Sequence, residues 1–158
     1  MDAFRANLEI RTTTSRGQGV FTKVFIPAKT IVFEVKGLVV DRADLSKYND
    51  TDNFFQVGQD TFLSKSGDFD DYINHSCNPN CGLRIIGNRA LIISLYDIQP
   101  NTELTWDYST TSTDSQDEWA MNCSCGDYKC RKVISGFSTL TKEQQQYYIN
   151  LGVVPKYL

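Results

Sequence analysis

A mostly β domain, followed by a polar segment, a metal knuckle and a short helical tail, is what this 158-residue sequence predicts. Three observations carry the expectation. Short runs rich in β-branched and aromatic residues, each bounded by turn formers, fill the first two-thirds of the chain. No strand pattern alternates with a long helical one, which argues against doubly wound and barrel α/β folds. Three cysteines, Cys123, Cys125 and Cys130, fall inside one tight segment.

The expected strands cover residues 8–12, 19–23, 30–35, 38–41, 53–57, 61–63, 82–86 and 89–95. Gly87-Asn88 between two apolar runs predicts a tight hairpin, and Pro27-Ala28-Lys29 predicts a turn. Residues 48–53 are polar and read as loop. Glu103-Leu104-Thr105-Trp106-Asp107-Tyr108 reads, taken alone, as an ordinary edge strand with two buried aromatics. Residues 109–118 (STTSTDSQDE) have almost no apolar content and read as a mobile linker. Thr141 can cap a helix over residues 142–150 that Gly152 stops.

The length suits one domain with a real core and leaves room for a small appendage. Hydrophobic residues make up 41% and charged residues 22%, both ordinary for a globular protein. With a formal net charge of −3 and only short Lys/Arg runs, direct nucleic-acid binding is not expected, since phosphate recognition needs a concentrated basic surface. A mildly acidic chain suits a basic partner better. Apolar stretches are strand-length, far short of the ~18–20 residues of a spanning helix. The first residues carry Asp2 and Arg5 and lack the apolar core of a secretory signal. An intracellular protein is expected, with cytoplasm and nucleus not distinguished.

In such a chain the pattern Cys123-x-Cys125-x4-Cys130 reads first as a metal site. Zinc takes four ligands in a tetrahedron, so one more is needed, and spacing alone does not choose between Cys77 and Cys81. The segment Asn74-His75-Ser76-Cys77-Asn78-Pro79-Asn80-Cys81 holds the only histidine. By itself it reads as a capped turn with a satisfied imidazole. A catalytic Cys-His pair is disfavoured because the thiols are better used on the metal. Arg16-Gly17-Gln18-Gly19 before a strand is either a tight turn or a loop that bares backbone groups to a small ligand. It lacks the following helix of a dinucleotide fingerprint.

Taken together and in this order, Gly17-x-Gly19-Val20-Phe21, Asn74-His75-Ser76-Cys77-x-Pro79-Asn80, Glu103-Leu104-Thr105-Trp106-Asp107-Tyr108 and Cys-x-Cys-x4-Cys-Arg131 closely resemble the SET domain with its post-SET zinc knuckle. The resemblance covers about four-fifths of the chain. It implies a β-clip fold of short curved sheets in which the Tyr108 segment threads beside the Asn74-His75 segment as a pseudoknot. The implied division is a SET domain over 8–110, a polar linker over 111–118, a post-SET zinc segment over 119–135 and a helical tail over 136–158.

The resemblance further implies protein-lysine methylation with S-adenosylmethionine as methyl donor. Arg16, Gly17, Gln18, Gly19, Asn74 and His75 would bind the donor, and Tyr108 would be the catalytic tyrosine. Phe55 and Trp106 would line the substrate channel. Cys77, Cys123, Cys125 and Cys130 would hold one structural zinc, leaving Cys81 as a buried small residue. The leading substrate is a basic peptide such as a histone tail. The alternatives are a non-histone protein and an inactive zinc-stabilised binding module. Val35 and Asn53 stand where many relatives have aromatics, and Trp106 stands where Phe or Tyr sets the number of methyls. The balance of these sizes points to products beyond monomethyl-lysine.

Overall fold

The computed structural model describes residues 4–51, 54–87 and 89–158. In chain order the strands are β1 (Leu8–Thr12), β2 (Gln18–Thr22), β3 (Ile31–Glu34), β4 (Val39–Asp41), β5 (Phe55–Gln56), β6 (Thr61–Leu63), β7 (Asn74–His75), β8 (Cys81–Ile86), β9 (Arg89–Ser94), β10 (Glu103–Trp106), β11 (Met121–Asn122) and β12 (Val133–Ile134), and helix α1 is Lys142–Leu151. They form small sheets in the orders β1-β2-β10-β7, β3-β9-β8, β4-β6-β5 and β11-β12. Strands β8 and β9 pair antiparallel up to Ile86↔Arg89, so the chain reverses at Gly87 as expected. Asn88 and Asn53 lie outside the described residues. No described helix is long and apolar enough to cross a membrane.

Strand β9 shows why many short strands suffice here. Alternate side chains of a strand face opposite sides. Ala90 and Ile92 enter the main core with Val20, Phe33, Leu83 and Leu104. Leu91, Ile93 and Leu95 face the other way and meet Leu140, Tyr148 and Val153 of the C-terminal tail. Both faces are therefore buried, and each Leu or Ile side chain contributes about 1.5–3 kcal/mol on full burial. The tail is thus a packed layer of the domain. Its helix begins with a capping box between Thr141 and Gln144 and ends at Gly152.

Two expectations need correction. The run from Glu103 is no edge strand, because β10 lies between β2, with which it pairs antiparallel, and β7, with which it pairs in parallel. Its second partner, β7, is only two residues long and gives no periodic signal. The serine- and threonine-rich segment is not a loose linker in its first half either. Ser109, Thr110 and Thr111 are buried. Thr113 donates its amide to Gln56 Oε1 (2.9 Å), and its hydroxyl accepts from Gln56 Nε2 and Arg42 Nη2, both at 2.9 Å. Polar side chains can be buried when distant partners satisfy them, and composition alone does not reveal those partners.

Candidate active site and metal centre

The parallel pairing of β7 with β10 sets Thr105 opposite Asn74 and Trp106 opposite His75. It brings the Tyr108 segment beside the Asn-His segment, as the resemblance implies. The glycine loop closes on the same spot. Asn74 Nδ2 donates to the Gln18 carbonyl (2.9 Å) and to Glu103 Oε1 (2.8 Å). Arg16 donates to the His75 carbonyl (3.0 Å) and pairs with Glu103 Oε2 (2.6 Å). The two glycines do different work. A Cβ on Gly19 would fall 2.4 Å from Glu103 Oε1 and 3.0 Å from Asn74 Nδ2, so a side chain here would push the Glu103 carboxylate out of this closure. At Gly17, with φ of 68°, a Cβ would meet nothing within 4 Å. That open space at a turn beside the half-buried Asn74 fits a small ligand held by backbone groups. Glu103, which joins Arg16 to Asn74, is a member of the site that sequence reasoning missed.

Tyr108 stands over His75, with ring centroids 5.3 Å apart, and beside Trp106 at 5.2 Å. Trp106 stacks on Phe55 at 5.6 Å. Phe55, Trp106 and Tyr108 line one cavity of about 310 Å³, whose wall also includes Ile73, Asp70 and Trp119. The Tyr108 hydroxyl donates to the Ile73 carbonyl (2.7 Å). Its hydrogen is thereby used, and the oxygen keeps lone pairs for a guest. Burial pushes its ionisation well above the ordinary tyrosine value, so it is neutral and acceptor-competent at neutral pH. None of the glycine-loop residues lines this cavity.

His75 joins the two regions. Its Nδ1 accepts the Tyr108 amide hydrogen (3.2 Å). Burial pushes the imidazole down to about 4, so it is neutral at pH 7. The hydrogen-bond network then assigns the ring hydrogen to Nε2, which donates to Cys77 Sγ at 3.2 Å.

The sulfurs of Cys77, Cys123, Cys125 and Cys130 all lie within 4.8 Å of one another. Cys77 Sγ and Cys123 Sγ are 3.7 Å apart. A tetrahedron with zinc–sulfur bonds near 2.3 Å has edges of about 3.8 Å, so the donor set fits one zinc. Backbone supports the sulfurs, since the Arg131 amide donates to Cys77 Sγ (3.4 Å). Cys81 is absent from the cluster. As the first residue of β8, paired with Ser94, it is fully buried in the main core.

Sequence reasoning also passed over what ties these parts together. Asp107 is buried, and its carboxylate accepts from Arg131 Nη1 (2.6 Å) and Nη2 (2.8 Å), from the Tyr148 hydroxyl (2.8 Å) and from the Ser109 amide (3.1 Å). Arg131 follows the last cysteine, Tyr148 lies on α1, and Asp107 precedes Tyr108. The available signal was the adjacency of Asp107 and Arg131 to motif residues.

The fold and its sites define a small β domain with a threaded tyrosine, an adjoining cradle and a four-thiol cluster. The SET domain family matches residues 17–109, more than half of the chain, and the chain belongs to that family. It is 32% identical over 152 residues to Histone-lysine N-methyltransferase TRX1 of Oryza sativa subsp. japonica, covering 84% of this chain and 14% of that protein. It is 32% identical over 131 residues to Histone-lysine N-methyltransferase SETD1B of Homo sapiens, covering 74% of this chain and 6% of that protein. A solved structure of KRYPTONITE in complex with mCHH DNA, H3(1-15) peptide and SAH superposes with a TM-score of 0.66 at 26% identity, over 82% of this chain and 29% of that one. The chain thus spans only a small part of the length of these relatives.

Proposed function

We propose that this chain is a protein-lysine N-methyltransferase that uses S-adenosylmethionine and acts on a lysine of a basic protein tail, histone first among them. The observation that carries the reading is the cavity where Tyr108, Trp106 and Phe55 meet, joined through His75 to the Asn74 and glycine-loop cradle. Membership of the SET family and relatives named as histone-lysine methyltransferases support it. A KRYPTONITE complex that holds an H3(1-15) peptide and SAH supports a histone-tail substrate and the methyl donor. A histone substrate also argues for a nuclear protein.

In this reading Arg16, Gly17, Gln18, Asn74 and His75 hold the donor, and Gly19 serves by letting Glu103 and Asn74 close on the loop. The bound donor supplies a sulfonium methyl group. Phe55 and Trp106 enclose the lysine side chain and exclude water. Tyr108 offers its oxygen as an acceptor that orients the amine. It is not a base, because its own hydrogen is committed to Ile73 and burial opposes its ionisation. Alignment of nucleophile and methyl is then the chief source of rate. Cys77, Cys123, Cys125 and Cys130 bind one structural zinc, and His75 Nε2–H steadies the Cys77 thiolate. The unit over 8–110 carries the chemistry, 119–135 holds the zinc and 136–158 braces both.

Recombinant protein incubated with radiolabelled S-adenosylmethionine, core histones and a cell lysate tests the reading. Label on histone supports it as stated. Label only on another protein moves the substrate, and no transfer to any protein refutes the enzyme.

A further inference from the structure

Arg131 follows the last cysteine of the knuckle and does not line the cavity that holds Tyr108. Its guanidinium nevertheless straddles that tyrosine. Nη1 donates to Asp107 Oδ2 (2.6 Å), and Nη2 donates to Asp107 Oδ1 (2.8 Å) and to Ser109 Oγ (3.1 Å). One fork thus holds the residues on either side of Tyr108, and both are buried, at 1% and 0% exposure. Asp107 in turn caps the short 3-10 turn Tyr108–Thr110. Its carboxylate accepts the Ser109 amide (3.1 Å), and its carbonyl accepts the Thr110 amide (3.0 Å) and hydroxyl (2.6 Å). The direction in which the Tyr108 side chain leaves the backbone follows from that turn.

The other end of Arg131 is anchored in the knuckle, where its backbone amide donates to Cys77 Sγ (3.4 Å). The same sulfur accepts from His75 Nε2 (3.2 Å), and His75 Nδ1 accepts the Tyr108 amide (3.2 Å). Two hydrogen-bonded arms therefore leave Cys77 Sγ and meet again at the Tyr108 backbone. A buried, fully satisfied ring of this kind holds a group more rigidly than either arm alone. The planar fork is essential to it. A lysine ammonium carries the same charge but cannot engage both carboxylate oxygens in parallel.

Resting on the methyltransferase reading above, we propose that Arg131 is a positioning residue for methyl transfer. It fixes Asp107 and Ser109, and so places the Tyr108 oxygen that orients the amine. Where rate comes from alignment, a displacement of about 1 Å is enough to cost about 10²-fold. Arg131 itself touches neither donor nor lysine in this assignment, and its effect passes through Tyr108.

Native-state hydrogen exchange and steady-state kinetics on the zinc-loaded full chain test this in Arg131→Lys, with a histone H3 tail peptide as substrate. The backbone amide on Cys77 is kept, so the variant should retain one zinc per chain, with S-adenosylhomocysteine affinity and peptide KM within about twofold of wild type. Exchange of the Tyr108 amide should quicken about tenfold, the scale of one lost charge-assisted hydrogen bond, while β8 and β9 amides stay within about twofold. Turnover should fall about tenfold or more, yet by less than about twofold in a Tyr108→Phe background, where the group that Arg131 places is already gone. If Arg131→Lys does not fold, Ser109→Ala keeps the ion pair, loses one of the three contacts and should lower kcat about threefold at unchanged KM. Unchanged Tyr108 exchange overturns the proposal, as does an equal loss of turnover in the Tyr108→Phe background. So does a parallel fall of kcat, zinc content and donor affinity, which would mark Arg131 as a purely structural residue. Faster Tyr108 exchange in a protein whose wild type transfers no methyl to any protein keeps Arg131 as the brace of Tyr108 and loses the enzymatic reading.

Discussion

Tyr148→Phe isolates how far the C-terminal helix holds the centre together. The substitution keeps a buried ring in the cluster formed with Leu91, Ile93 and Leu95, so packing should be conserved. It removes one hydroxyl, which donates to Asp107 Oδ2 at 2.8 Å. A hydrogen bond to a charged, buried acceptor contributes about 1.5–3 kcal/mol. Asp107 retains both Arg131 nitrogens and the Ser109 amide, so its charge is not abandoned. The loss should therefore sit near the lower end, about 1.5–2 kcal/mol. With a slope of about 2 kcal/mol per molar, the urea midpoint of metal-saturated protein should fall by about 0.8–1 M with the slope unchanged. Turnover should fall too, since Asp107 fixes the strand end from which Tyr108 projects. A midpoint within about 0.2 M of wild type would refute the reasoning, because it would mean that Arg131 alone satisfies the carboxylate.

Four further outcomes are expected. Tyr108→Phe should leave donor affinity intact and lower turnover by about 10²-fold or more, the scale of one preorganised hydrogen-bonding group; calorimetry and single-turnover kinetics on the folded variant measure the two separately. Cys77→Ser should reduce zinc content by elemental analysis while Cys81→Ser keeps one zinc per chain, because only Cys77 lies in the four-sulfur cluster. Asn74→Ala unties Gln18 from Glu103, so donor affinity by calorimetry should drop about tenfold, as expected for losing two hydrogen bonds that hold the loop. The last concerns pH. Asp70 holds its proton more tightly folded than unfolded, so its contribution to stability is full at acid pH and is lost as pH rises through its folded value. Asp70→Asn should therefore unfold at higher denaturant than wild type at neutral pH, with the gap closing below the ordinary carboxylate range; a gap that does not change with pH would contradict this.

Local chemistry makes much of this molecule legible in the sequence alone. Thr141 and Gln144 form the capping box, Gly152 ends the helix, and β1 and β6 have the bounds that their β-branched runs suggest, because each depends on neighbours a few residues away. The cysteine spacing announced a metal cluster for the same reason. The order of the Gly, Asn-His-Ser-Cys, Trp-Asp-Tyr and cysteine motifs marked the family. Only tertiary structure decided the rest. Cys77 and Cys81 are four residues apart and alike in kind. One precedes β8 and reaches the knuckle, and the other begins β8 and is drawn into the core by its pairing with Ser94. Strand β10 becomes central only because a two-residue β7 pairs beside it, and Thr113 is ordered only because Gln56 and Arg42 reach it. Asp107 gathers Arg131 and Tyr148 across separations of 24 and 41 residues. Asp70 is buried with one carboxylate oxygen unpartnered among the described residues only once the chain has closed around it. Periodicity and capping are short-range, whereas these contacts exist only after distant segments have met, which is why the sequence carries them without displaying them.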